Sequence, residues 1–391
     1  MKPSYIKFLI QKIKEKRRDV IGFPFYRNVA SRPIKSGTKK ALLIYVTKPF
    51  RDKKKSSLAP IHQNLKQCGQ IISLLDNRGY AVDLLDVNDT RHILEDKYDL
   101  VISNRGYFNH KIDQFNSFKN IFLATAVNYH LHNQQVRLRN DNLFNRRGIR
   151  LNPRNLYPED LSFAIQASAI LCFGNNYIKR TWQEIIPSPC FNFNNYGYAE
   201  TPYIEYNQKA KTARHNFLFF GSTNQVGKGL DLLLDYFARN PHLHLYVCGF
   251  FEFELDFCHA YSKELYQTSN IHPVGWVHVN SPKFFELCST CAFIIHPSCS
   301  EGSPGSVIQC MHTGLIPIVS EQSGIDIDNF GLLIPGDQVQ SIENIVEQTT
   351  TMSTQLLSQM SCLTRQISME QFSEESFIRR WNFILDENLQ Y

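Results

Sequence analysis

The 391-residue chain has no long hydrophobic run: nothing in it approaches the roughly 18 to 20 consecutive apolar residues that a membrane span requires. Its first residues, MKPSYIKFLIQKIKEKRRDV, lack the apolar core and small-residue cleavage site of a secretory signal, so a cytosolic address is expected. Charge of one sign is scarce as well. Against 42 Lys and Arg stand 36 Asp and Glu, a formal net charge of +6. That is too small to argue for nucleic acid, but it suits phosphorylated ligands or an anionic membrane surface. With 43% hydrophobic and 20% charged residues, 19 Gly and 17 Pro, the disordered, collagen-like and disulfide-scaffold classes are excluded. The length exceeds what one hydrophobic core usually serves, which predicts two domains.

Cysteine is not scarce, but ten of them without a secretory signal predict reduced thiols. Cys288, Cys291, His296 and Cys299 follow a C-x2-C-x4-H-x2-C spacing that superficially suggests a zinc knuckle. Residues 291–296 belong to CAFIIHPS, however, an apolar run that reads as a buried strand ending at Pro297, and an extended strand cannot wrap round an ion. The cluster is read as buried thiols, and no metal site is expected.

Along the chain, short apolar strands alternate with longer amphipathic segments in two successive series, the pattern of parallel βαβ units. The first series has strands at 39–46, 80–87, 99–104, 120–126 and 169–174, with a helix at 59–78 stopped by Gly79. The polar text PYIEYNQKAKTAR (202–214) is the expected linker. The second series places strands at 215–221, 243–250, 271–276, 292–298, 315–320 and 331–335. Helices fall between them at 228–240, 254–267, 281–290 and 304–314, and further helices close the chain. The expectation is an α/β protein of two Rossmann-like, doubly wound parallel-sheet domains facing a cleft. Residues 1–205 form the first domain, 206–370 the second, and 371–391 a helix crossing back to the first. Ligands of such folds sit beyond the carboxyl ends of the strands.

The most informative stretch runs from His296 to Asp326. After the strand comes Glu301, and then Gly302, Ser303, Pro304, Gly305 and Ser306 lead into a helix whose first N–H groups form an anion site. The same text also fits an ordinary strand–loop–helix junction. A carboxylate beside bound phosphate would repel it, so Glu301 is assigned to hydroxyl groups, which sugars offer. Gln309, two helical turns on, is either a further hydroxyl ligand or a solvated helix residue. A second anion signal is FFGSTNQVGKGLDLLL (219–234), in which a strand ends at Gly221, Ser222 and Thr223 follow, and Lys228 stands at a helix start. A cation there is unfavourable unless an anion shares the position, which assigns Lys228 to a diphosphate. Neither a Walker A nor a GxGxxG pattern is present.

In order, the chain has G-x6-KGLDLLL, GW, PS-x-SEG-x-PGS, GLIPIVS and SGID. Over residues 217–335 this set resembles the nucleotide-sugar-dependent glycosyltransferases of family 4, which have the GT-B fold. The first half resembles them more loosely, in HQN near His62, in G-Y-x-V-D at 79–83 and in RRG near Arg146. The resemblance implies a retaining sugar transfer from a nucleoside diphosphate donor, UDP- or GDP-linked, with no metal and no other cofactor, in polysaccharide or glycolipid biosynthesis. Glu301 then matches the acidic residue that contacts the transferred sugar, and Gln309 stands where a second acidic residue contacts the ribose. Lys228 matches the diphosphate lysine, while the arginine of that pair falls at Ser222 or Thr223 and is missing. The region of Gly249, Gly275, Trp276 and Val277 is similar to the base-binding region. The family also places a His near the donor sugar; His130 and His132 are the candidates, each of them open to a structural or solvated role.

On the acceptor side, Lys48, Arg51, His62 and Asn64 are the candidates. The expected partners are a nucleotide sugar and a glycan or lipid-linked acceptor. The basic segment 6–18, with Ile6, Phe8, Leu9, Ile10 and Ile13, is either a solvated capping helix or a contact to the inner face of the cell membrane. A non-catalytic nucleotide-sugar-binding protein and a nucleotide-sugar epimerase of the same fold are the rival functions.

Overall fold

The computed structural model describes residues 23–47, 50, 63–89, 96–105 and 119–389. Six strands, β1 (Lys40–Tyr45), β2 (Ala81–Asp86), β3 (Leu100–Ser103), β4 (Lys119–Ala124), β5 (Ala169–Phe173) and β6 (Cys190–Phe193), form one sheet in the order β2-β1-β3-β4-β5-β6. Six more, β7 (Asn216–Phe220), β8 (His244–Cys248), β9 (Ile271–Gly275), β10 (Phe293–His296), β11 (Ile316–Ser320) and β12 (Leu332–Ile334), form a second in the order β12-β11-β10-β7-β8-β9. Every pairing within the two sheets is parallel. Strands such as IPIVS and AILCF are buried along their whole length, as sheets covered on both faces require.

The helices of the first half are α1 (Gln63–Asp76), α2 (Tyr129–Arg147), α3 (Ser162–Ile165) and α4 (Asn176–Gln183). Those of the second are α5 (Leu230–Phe237), α6 (Leu255–Ala260), α7 (Ser262–Gln267), α8 (Pro282–Thr290), α9 (Gly305–His312), α10 (Val339–Thr351) and α11 (Thr354–Gln371). The last helix, α12 (Glu374–Leu389), buries Phe377, Trp381, Ile384 and Leu385 among Leu43, Ile71, Leu123 and Leu171 of the first sheet's core. No helix among the described residues is long and apolar enough to cross a membrane. The basic segment 6–18 lies outside the described residues.

Several elements depart from the sequence expectation. Residues 254–267 form two short helices that meet at Tyr261, not one. The strand β6 and the helix α4 were not foreseen. The stretch 202–214 is no free tether: Lys209 is buried and its Nζ donates to the Cys288 carbonyl at 2.6 Å.

The largest departure is α2, which the sequence reading did not assign as a helix. Asn128 caps its start by accepting from Leu131 N at 3.0 Å, and Gly148 ends it in the left-handed region at φ 69°. Though it follows β4, its Leu143 lies in the core of the second sheet, together with Leu151 beyond it, against Phe217, Leu230 and Tyr261. Charge completes the docking. Arg146 donates to Asp231 at 2.7 Å and also pairs with Asp235; Arg147 donates to Asp235 and Glu264, each at 2.6 Å. Arg139, buried in the same face, donates to the Pro297 carbonyl at 3.1 Å and to Asp337 at 3.2 Å.

Candidate active site

The second sheet reverses its strand order between β7 and β10, and a crevice opens outside the carboxyl ends of strands that diverge in this way. The two loops that flank that crevice are Gly221 to Gly229, after β7, and Pro297 to Gly305, after β10. Lys228 and Glu301, one from each loop, form an ion pair there.

The β7 loop is held by a buried carboxylate. Glu254, just before α6, accepts from the backbone N–H of Asn224 and from that of Gln225 at 3.2 Å, and Arg154 approaches its other side at 3.5 Å. Asn224 adopts a positive φ of 69°, a conformation that these bonds sustain. Lys228 then sits in the last turn before α5, 9% exposed. Burial pulls its ammonium down to about 8, against the opposing pull of Cys299 and Glu254. Beneath it lies His296, fully buried and kept neutral by burial and by the Lys228 charge.

The β10 loop makes a close approach to the first sheet. A Cβ at 302 would overlap the Thr125 carbonyl, so only glycine fits there, and one at 305 would require the buried side chain of Gln63 to move. Between them Ser303 adopts φ 51°, and its Oγ accepts from the backbone N–H of Asn195 at 3.0 Å. Pro304 precedes α9, which has no side-chain cap. Among the described residues, the backbone N–H groups of Gly305 and Ser306 have no hydrogen-bond partner, leaving a helix start able to take an anion.

Two Rossmann-like sheets meet at their carboxyl ends across this crevice. Residues 214–351 match the family described as Glycosyl transferases group 1. The chain carries a group 1 glycosyltransferase domain. Solved structures share the whole architecture. One is HepE of Anabaena in complex with UDP and glucose, at 12% identity and TM-score 0.53, covering 90% of this chain and 99% of that one. Another is the sucrose-phosphate synthase of Thermosynechococcus elongatus, at 13% identity and TM-score 0.61, covering 89% and 98%. A third is a glycosyltransferase of Rickettsia africae, at 12% identity and TM-score 0.55, covering 90% and 99%. The shared fold is GT-B. No curated protein matches the sequence significantly.

Within the glycosyltransferase domain the predicted donor residues other than Gln309 stand at or after the carboxyl ends of β7, β8, β9 and β10. Gly221, exposed Ser222 and half-buried Thr223 follow β7. Gly249 approaches the Ser222 carbonyl closely and donates its N–H to Gly275 at 3.0 Å. Trp276, 43% exposed, stacks on Phe250 with ring centroids 4.0 Å apart and planes 5° apart, while Val277 next to it is buried. This leaves an aromatic face beside Ser222, at the end of the crevice away from α9.

Two assignments are corrected by the geometry. Gln309 is not solvated. It is 1% exposed, its Oε1 accepts from Tyr198 N at 3.0 Å, and its Nε2 donates to Thr201 and to Asn280 Oδ1. One of its donors is spent on Thr201 of the stretch that joins the two sheets and the other on Asn280, just before α8, so a ribose contact would require breaking that network. His130 is exposed and pairs with Glu159 at 3.1 Å. Positions two apart on a helix face nearly opposite ways, and it is His132 that turns to the crevice. His132 Nε2 meets the Asn155 carbonyl at 2.8 Å, which only accepts, so that nitrogen carries the proton. Burial keeps the ring neutral, and Nδ1 therefore accepts from the Ser300 hydroxyl at 2.8 Å, one residue from Glu301.

The acceptor-side candidates Lys48, Arg51 and His62 lie outside the described residues, and Asn64 is half-buried on α1. The C-x2-C-x4-H-x2-C cluster gathers no ion-binding shell: among the described residues, no group of three His, Cys, Asp or Glu side chains converges for a metal. The sequence reading missed Glu254, Arg154, Gln63 and Asn195. A buried carboxylate that orders a loop and an amide that reaches across from another domain leave no local pattern to read.

Proposed function

We propose that the chain is a retaining glycosyltransferase that moves a sugar from a UDP- or GDP-linked donor to a hydroxyl of a glycan or lipid-linked acceptor, and that it needs no metal ion. The observation that carries this reading is the Lys228–Glu301 pair at the switch point, beside the uncapped start of α9. One cation and a set of free N–H donors suit a diphosphate, and one carboxylate suits sugar hydroxyls. The residues of both kinds lie in a single crevice. When the bond from the anomeric carbon to the β-phosphate oxygen breaks, negative charge grows on that oxygen, where Lys228 and the α9 amides offset it. The acceptor oxygen bonds to the same face of the sugar, and its proton passes to the departing phosphate. The stacked Phe250 and Trp276 give the base an apolar face. HepE, of similar fold, was solved with UDP and glucose, in keeping with this donor class.

A non-catalytic nucleotide-sugar-binding protein is the second reading, favoured by the engagement of Gln309 and by Ser222 and Thr223 in place of an arginine. Turnover of UDP-, GDP- and ADP-sugars, assayed with and without a chelator, separates the two. Transfer with retained anomeric configuration, insensitive to chelation and lost in Glu301→Ala, supports the enzyme. Binding without turnover, indifferent to Glu301→Ala, supports the binding protein.

A further inference from the structure

Gln63, the first residue of α1, belongs to the first sheet's domain, yet its side-chain oxygen lies against Gly305 at the start of α9. The amide orientation is fixed. Nε2 donates to the Tyr196 carbonyl, which can only accept, so Oε1 is the atom that faces the helix start. That oxygen also accepts from Asn195 Nδ2 at 3.2 Å. Asn195 Oδ1 in turn accepts from Gln67 Nε2 at 2.7 Å, and Gln67 Oε1 accepts from the Tyr45 hydroxyl at 2.9 Å. All four side chains are buried. The result is a line of hydrogen bonds that begins in β1 and ends at Gln63 Oε1, the atom that abuts the loop of the other domain. A second arm joins Asn195 N to Ser303 Oγ at 3.0 Å.

At the receiving end, the N–H groups of Gly305 and Ser306 attract negatively polarised oxygen. The oxygen that reaches this helix start is that of Gln63, a neutral amide. Lys228, the other group suited to an anion, is likewise engaged by a protein oxygen, that of Glu301. Lys228 is thus matched to an acceptor of the protein itself, while Gln63 Oε1 stands against the helix start without a hydrogen bond to its free N–H groups.

We propose that Gln63 Oε1 and an oxygen of the donor diphosphate compete for one position at the start of α9. Donor binding then moves Gln63, and through Asn195 and Gln67 it alters the first sheet's end of the cleft. The inference rests on reading the crevice as a nucleoside diphosphate site, and it adds to that site a residue from the opposite domain.

Calorimetric titration of UDP and GDP into the full chain and its Gln63 variants tests it. Competition predicts that Gln63→Ala, which removes the oxygen, binds the preferred diphosphate at least threefold more tightly than wild type. Gln63→Glu, which places a full negative charge there, should bind it at least tenfold more weakly, with the deficit shrinking as salt is added. Gln63→Asn keeps an amide but withdraws it by one methylene; it should also tighten binding, and it serves if Gln63→Ala melts. A purely structural amide would make all three variants weaker, and that result, or equal affinities throughout, overturns the inference. A wild-type chain that binds neither diphosphate overturns the donor reading first, and the competition with it.

Discussion

Arg146 of α2 donates to Asp231 of α5 at 2.7 Å, tying the helix between β4 and β5 of the first sheet to the first turn of the helix that follows Lys228. Asp231 is fully buried, and burial raises its carboxyl despite Arg139 and Arg146 beside it. Removing one partner of such a pair leaves a charge without compensation, which costs about 3 to 5 kcal/mol. Arg146→Ala should therefore lower the thermal midpoint markedly in calorimetry. The pair replacement Arg146→Met with Asp231→Leu should recover part of the loss.

Lys228→Ala and Glu301→Ala should each reduce sugar transfer by orders of magnitude, about 10²-fold or more for loss of a group that offsets transition-state charge. Both residues sit on loops whose shape Glu254 and the first sheet maintain, so circular dichroism should stay close to wild type, while the melting temperature falls because the remaining member of the pair loses its partner.

The lowered Lys228 makes donor binding dependent on pH. With its ammonium near 8, the charge is present below that pH and is lost as pH rises through it, while a bound diphosphate would hold the proton on. The dissociation constant for UDP should be flat below pH 7 and rise above pH 8, approaching about tenfold per pH unit. Lys228→Arg should flatten the curve, because a guanidinium keeps its charge throughout. Titrations in buffers of differing ionisation enthalpy would register the accompanying proton uptake.

Gly305→Ala should destabilise the wild-type chain by about 1 to 3 kcal/mol, since the added methyl overlaps Gln63. In a Gln63→Ala background the same substitution should cost less. A double-mutant cycle in urea measures the coupling, and additivity would show that the two residues do not touch.

Gln309→Ala should cost about 1 to 3 kcal/mol by leaving the buried Tyr198 N–H and Asn280 side chain without their partner. Urea unfolding gives the value. A change below a few tenths of a kcal/mol would indicate that Gln309 is not the tie between the two sheets.

The second half of the fold was legible because its strands are continuous apolar runs bounded by turn residues, as in LIPIVS and AFIIHPS. Its candidate site could be singled out because Lys228 and Glu301 each stand in the loop after a strand, and the structure pairs the two with each other. Helix α2 was not, and the reason is physical. YHLHNQQVRLRNDNLFNRR has no wide apolar stripe, since its docking face is built from Arg139, Arg146 and Arg147 and finds its complement in Asp231, Asp235, Glu264 and Asp337, which lie about 85 to 200 residues further on. His130 and His132 could not be told apart while the segment was open to being a strand. Gln309 kept its place in the motif, but what surrounds it is set by Tyr198, Thr201 and Asn280, none of them near it in sequence.

The position of α2 in the second sheet's core, with that of α12 in the first, fixes an order of assembly on the ribosome. Arg146 leaves the exit tunnel 85 residues ahead of Asp231, an interval of about 4 to 17 seconds at ordinary rates of synthesis. For that time Arg146 and Arg147 lack the carboxylates they pair with in the fold. The first sheet, though made first, waits longer still, because Trp381 and Leu385, which complete its core, are made about 190 residues after its last strand. Neither half of the chain can finish before the other has begun, so a nascent chain stalled between the two sheets would expose the first sheet's unfinished core together with Leu143 and Leu151, which await the second.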